Sequence, residues 1–237
     1  MVGPAGTIGG RAGVITSAAD SLQIRLFGRG AHGSMPQASI DPVVMAAATV
    51  MRLQTIVSRE LAAAESAMVT IGSLQASTKE NVIPDEAVIE LNVRSFDEGV
   101  RERVLAAIER IVKAEAAASG APRPPEIAPL DRYPLAVNDP AASRRVADAF
   151  RRHFSADRVR ETGPAPASED FGSFGAKWHT PPSSGWSAAP TPTAMPRPRR
   201  RAASTRSQPT TIRALRRSST RPWRRVSRLW STLRVPG

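Results

Sequence analysis

The apolar periodicity changes in a fixed order along Thr16–Leu130: strand, helix, strand, strand, helix, strand. No other feature of the chain limits its fold so strongly. Ser21–Gly28 alternates, with Leu22, Ile24 and Leu26 on one face and Gln23 and Arg25 on the other. Asp41-Pro42 pairs a capping residue with a first-turn proline. Val43, Ala47, Val50 and Val57 then share one face of a helix reaching about Leu61. Ala67–Ala76 and Glu86–Phe96 read as two further strands. In the second, Ile89, Leu91 and Val93 oppose Val88, Glu90, Asn92 and Arg94. Asp97 caps a second helix with the stripe Val100, Val104, Ile108, Ile111 and Val112, and Gly120 ends it. A strand around Glu126–Leu130 closes the series. This order predicts an α+β fold of the ferredoxin-like βαββαβ type, with two helices on one face of a four-stranded antiparallel sheet.

The remaining residues read differently. After Arg132 a short loop leads to Asp139-Pro140 and a helix to about Phe154. Asp157–Gly175 reads as a strand, a loop and a helix starting at Ser168. These elements lack a complete sheet of their own, so they suggest part of a second domain. The net charge of +12 is concentrated at one end: Pro181–Gly237 holds thirteen arginines, no lysine and no acid. The preceding 180 residues are balanced, with twenty basic side chains against twenty-one acidic. Residues 181–237 combine few aliphatics, several prolines and unpaired charge, which predicts a segment that does not pack. Whatever its origin, such a segment binds phosphate backbones in a salt-sensitive way. With no cysteine, the chain has neither a disulfide nor a thiolate metal ligand. The longest apolar run, Pro42–Met51, is too short to span a bilayer. No signal peptide is legible, so the expected protein is cytoplasmic and has no membrane partner.

Four strings carry a family resemblance: "GRGAHGSMP", "NVIPDEAVIELNVRSFD", "YPLAVNDP" and "SEDF". They resemble, in order and spacing, the zinc-dependent M20 amidohydrolases of the hippurate hydrolase and N-acyl- or N-carbamoyl-amino-acid type, over roughly Gly6–Thr180. The resemblance implies a two-metal catalytic domain with an inserted ferredoxin-like lid that also dimerises. It assigns residues 1–15 to a catalytic-domain remnant, 16–130 to the lid, 131–180 to a partial catalytic domain and 181–237 to the arginine-rich tail. The family's first metal ligands lie in an HxCGHD motif, then in paired glutamates and a histidine, all of which would precede Met1. Its last histidine, in a "TNHSP"-like string, has no counterpart. Yet Ser184–Pro192, Ser204–Arg213 and Ser219–Ser231, with each codon moved back one nucleotide, permit family-type strings that include that histidine. The expectation is therefore a truncated and frame-shifted member, inactive alone, that binds no zinc although the family does.

His32 stands among Gly28, Gly30 and Gly33 in a loop suited to close contact. The resemblance gives it an oxyanion-stabilising role in the other subunit's active site; without it, a surface-turn histidine is the simpler reading. Asn81 suits a substrate carbonyl or carboxylate and equally an Asx-type turn. Arg94 suits a substrate carboxylate, although a solvated sheet-face arginine is the more common outcome. Glu169 and Asp170 fall near the metal cleft in the family motif, and helix capping explains them as well. His153 reads as solvated, and His179 has no evident role. Three function classes remain: a metal-dependent amidohydrolase acting as a homodimer on a small N-acyl amino acid, a stand-alone dimerisation or interaction module, and a nucleic-acid binder working through the tail.

Overall fold

The computed structural model describes residues 6–77, 79–173 and the backbone of 187–188. All of these fall in the first of two compact units, Met1–Met195. In chain order the elements are β1 (Ile8–Gly10), β2 (Gly13–Thr16), β3 (Ala18–Phe27), β4 (Ala31–His32), α1 (Pro42–Thr55), β5 (Ala67–Gln75), β6 (Val82–Ile83) and β7 (Glu86–Ser95). Then follow α2 (Glu98–Ala118), β8 (Glu126–Tyr133), β9 (Ala136–Asn138), α3 (Pro140–Phe154), β10 (Val159–Glu161) and β11 (Ser187–Ala188).

The βαββαβ order is realised by β3-α1-β5-β7-α2-β8. The four strands form an antiparallel sheet in the order β5-β7-β3-β8. On β7 the alternation holds without a break: Ala87, Ile89, Leu91, Val93 and Ser95 are buried and the residues between them are not. Ile24 and Leu26 from β3 join this face. The α2 stripe Val100, Val104, Ile108, Ile111 and Val112 closes the core over it. The Asp97 carboxylate accepts the Val100 N–H at 2.9 Å, and Gly120, at φ +69°, turns the chain out of α2. At β8 the pairing shifts register between Ser21 and Leu22, and the strand runs on to Tyr133, past the expected Leu130.

One expected face is wrong. Helix α1 begins as read, with the Asp41 carboxylate accepting the Val43 N–H, and a π-helical turn, Ile56–Glu60, carries it on to Leu61. Its buried residues, however, are Pro42, Met45, Ala46, Thr49 and Leu53, with Ile56 just beyond. Val43, Val44, Met51 and Val57 are exposed. The run from Pro42 to Met51 is apolar around the whole helix, so periodicity alone cannot choose a face. The buried Thr49 hydroxyl donates back to the Met45 carbonyl at 2.8 Å, which makes a polar residue acceptable inside.

Outside the sheet, β2 pairs with β9 as an antiparallel ribbon, and β10-β1-β11 forms a second, three-stranded sheet. Within it β1 and β10 are parallel and β11 antiparallel to β1. The stretch expected to remain unpacked thus contributes two residues, Ser187 and Ala188, to a strand. The rest of 181–237, and His179, lie outside the described residues. The helix expected from Ser168 is also displaced. Residues 167–169 have no regular structure, and helical residues begin at Gly172.

Candidate functional site

His32 lies on β4, an arm beyond the end of the main sheet. β4 pairs with β6, setting Ala31 opposite Ile83 and His32 opposite Val82. The Gly33 N–H donates to the Asn81 carbonyl at 2.8 Å, so His32 and Asn81, far apart in sequence, become neighbours. Both residues are exposed. The Gly28 N–H donates to the Asp85 carbonyl and the Gly30 N–H to an Asp85 carboxylate oxygen, each at 2.7 Å, which fixes the arm to the start of β7. The close approach that the glycines permit is therefore first an intramolecular one. A Cβ on Gly30 would lie 2.8 Å from the Ile83 carbonyl oxygen and 3.0 Å from an Asp85 carboxylate oxygen. Gly30→Ala is expected to cost about 1–3 kcal/mol by overpacking and to loosen the arm. Faster amide exchange at Gly33 and Val82 would report it, and unchanged protection would refute it.

The imidazole is oriented by Ser34. The Ser34 N–H donates to His32 Nδ1 at 3.2 Å, and Ser34 Oγ lies 2.8 Å from the same nitrogen. A backbone N–H can only donate, so Nδ1 is the acceptor and the neutral ring carries its proton on Nε2. His32 thus presents an N–H donor outward.

Arg94 is placed elsewhere. It lies toward the opposite end of β7, opposite Ala19 and Met68, ~27 Å along the strand from Glu86. Its Nη1 donates to the Pro166 carbonyl at 2.9 Å and to Ser168 Oγ at 3.2 Å. Arg94 is thus no freely solvated arginine: it ties the sheet to the loop that leads into Glu169 and Asp170, both exposed. Ser17 reinforces the tie, its N–H and its hydroxyl both donating to the Ala167 carbonyl. The five candidates therefore divide into two loci, His32 with Asn81, and Arg94 beside Glu169 and Asp170. His153 is exposed and sits edge-on against Phe154.

Sequence reasoning missed Ser34, Asp85 and Ser168. The first two carried local signals: a hydroxyl two residues after the histidine, and an aspartate directly after Pro84 in a turn. Ser168 is recognised only through a contact with Arg94, 74 residues away. Among the described residues no group of three or more His, Cys, Asp or Glu side chains could hold a metal ion. The described residues thus do not fit a two-metal centre.

The family described as a peptidase dimerisation domain, of the M20 type, matches residues 16–119. The chain carries an M20 peptidase dimerisation domain. Around it the likeness continues. The N-acetyl-L-cysteine deacetylase of Bacillus subtilis is 35% identical over 170 residues, covering 70% of this chain and 39% of the relative. The N-acetyldiaminopimelate deacetylase of Limosilactobacillus fermentum is 32% identical, covering 70% and 43%. Among solved structures, the YXEP protein of Bacillus subtilis, a dinuclear metal-binding peptidase of the M20 family, aligns with a TM-score of 0.55 at 29% identity, covering 73% of this chain and 42% of that one. The chain spans less than half the length of these curated relatives.

Proposed function

We propose that this chain supplies the dimer-forming and oxyanion-donating part of an amidohydrolase that cleaves the amide bond of N-acyl or N-carbamoyl amino acids. The observation that carries this reading is the Ser34 N–H on His32 Nδ1, because it leaves Nε2–H as a fixed donor on an exposed arm. A donor aimed where a carbonyl oxygen gains charge binds the transition state better than the ground state. The Asn81 amide, next to it, is a second donor for the same substrate. The Arg94 fork, with Nε and Nη2 beyond the Nη1 contacts above, suits the substrate carboxylate. Residues 16–130 act as the lid in this reading, and 1–15 with 131–180 belong to a second domain.

The two loci stand near opposite ends of one strand, so one copy does not bring them together. We therefore assign the site to a homodimer, with the His32 arm of one copy meeting the Arg94 locus of the other. The exposed stripe Val43, Val44 and Met51 on α1 and the edge strand β5 supply surface for the pairing. The names of the relatives support N-acetylated amino acids as the substrate class.

Calorimetric titration of the full chain with an N-acetyl amino acid tests the assignment. His32→Ala and Arg94→Ala should each weaken binding about tenfold, ~1.4 kcal/mol. If both variants bind as the parent does, the assignment fails. With no three-donor cluster among the described residues, the chain alone is expected to take up no stoichiometric zinc and to release no amino acid. One-to-one zinc binding with metal-dependent turnover would overturn that expectation. The tail reading, non-specific nucleic-acid binding, rests on the thirteen arginines alone. Its affinity should fall steeply between low and moderate salt, and a salt-independent affinity would refute it.

A further inference from the structure

The carboxyl ends of the parallel strands β1 and β10 meet one face of α3 around a cavity of about 140 Å³. In open α/β sheets the crevice beyond the carboxyl ends of parallel strands is where ligands bind. Gly10 and Glu161, register partners at the last positions of the two strands, both line it, and Arg11 follows directly. From α3 come Ser143, Arg144 and Arg151, on one side of the helix with Ala147 between. Three arginines and one glutamate thus line one cavity.

Few of their donors are engaged. Each guanidinium has five N–H bonds. Arg11 Nε donates to the Ala12 carbonyl at 3.2 Å, and Arg151 Nη1 to Asp148 at 3.0 Å in an exposed pair. Arg144 has no ion pair among the described residues. Ser143 adds an independent sign. It is 3% exposed, and its hydroxyl has no hydrogen-bond partner among the described residues. A buried hydroxyl left unbonded is costly, and Ser143 is one of the residues that line the cavity beside the arginines.

We propose that this cavity binds a phosphate group. Glu161 cancels one of the three positive charges and Asp148, paired with Arg151, a second. The positive charge that remains favours an anion with several acceptor oxygens. Guanidinium forks suit phosphate oxygens geometrically, and the Ser143 hydroxyl gains a partner when it turns to a neighbouring staggered rotamer.

The test is a titration of the full chain with inorganic phosphate, and in parallel with phosphoserine, read by calorimetry and by the thermal midpoint. One saturable site is expected, with the midpoint rising as it fills. The arginine-rich stretch contributes equally in every variant, so comparison between variants isolates the cavity. Arg144→Ala should weaken phosphate binding at least tenfold. Ser143→Ala should weaken it severalfold. Arg145→Ala, the same charge change one residue outside the cavity lining, should leave it as in the parent. Tighter binding of phosphoserine would identify a monoester as the ligand, and tighter binding of inorganic phosphate the free ion. Equal losses in the Arg144 and Arg145 variants, no loss in either, no saturable site, or acetate binding as tightly as phosphate would each overturn the proposal.

Discussion

Replacing Arg101 with alanine is expected to destabilise the dimerisation domain by about 3–5 kcal/mol, a large part of the 5–15 kcal/mol that typically holds a domain folded. Arg101 lies in the first turns of α2, and its guanidinium reaches Asp20 on β3 through Nε at 2.6 Å and Nη2 at 2.7 Å. Nη1 donates to Glu98 at 2.8 Å. The side chains of Arg101 and Asp20 are 3% and 8% exposed. The hydrogen bonds that Arg101 donates to Asp20 raise its pKa above the ordinary value, and Glu98 adds to the rise. A raised pKa means that this stabilisation is fully present below the ordinary arginine value and is lost only as pH climbs through the raised one. It is therefore constant across the neutral range.

Removing the guanidinium leaves a buried carboxylate whose remaining ion-pair contact is Arg132 at 3.9 Å, a side chain 69% exposed. The cost comes from that stranded charge and not from the worth of the pair, so Asp20→Leu with Arg101→Met should lie much closer to the parent. Urea unfolding followed by circular dichroism reads both variants. An Arg101→Ala loss under about 1 kcal/mol, the range of an exposed pair, would show that the ion pair is not sealed in solution.

This ion pair also shows where legibility stops. The alternation on β7 and the stripe on α2 repeat with the period of their own element, so the sequence carries them directly. Arg101 sits inside that stripe, between Val100 and Val104, and periodicity reads it as a polar interruption. Its partner is 81 residues away, and no local pattern encodes that distance. The candidate site divides in the same way. His32 and Asn81 are recognisable as residues, but β4 and β6, two residues each, are too short to show a period. Their pairing depends on backbone hydrogen bonds, which no side-chain period reports. Arg94 reads as a polar-face residue, which it is. What it holds is a backbone carbonyl and a serine in a loop with no regular structure, and that is a property of the tertiary fold alone.

The α1 face carries the second large effect. Glutamate at both Val44 and Met51 is expected to convert a dimer to a monomer, weakening association at least about a hundredfold, ~2.7 kcal/mol. These side chains are 65% and 72% exposed, among the most exposed large apolar groups of the described residues, while the opposite side of α1 is packed into the core. Because neither contributes to that core, the thermal midpoint of the substituted subunit should fall only as far as lost association requires. Two carboxylates brought into an apolar contact would be buried without partners, which association cannot offset. Leu130→Glu is the matched control: it adds one charge at an exposed apolar residue on β8, the edge farthest from β5, and should leave association unchanged. Sedimentation velocity over a concentration series reads all three chains. A dimer that survives both α1 glutamates but dissociates in the Leu130 variant would move the interface to the β8 edge. If the site is shared between copies, the α1 variant should lose N-acetyl amino acid binding as fully as His32→Ala does, although it changes no residue of either locus. Monomers that bind as the parent does would show that each copy holds its own complete site.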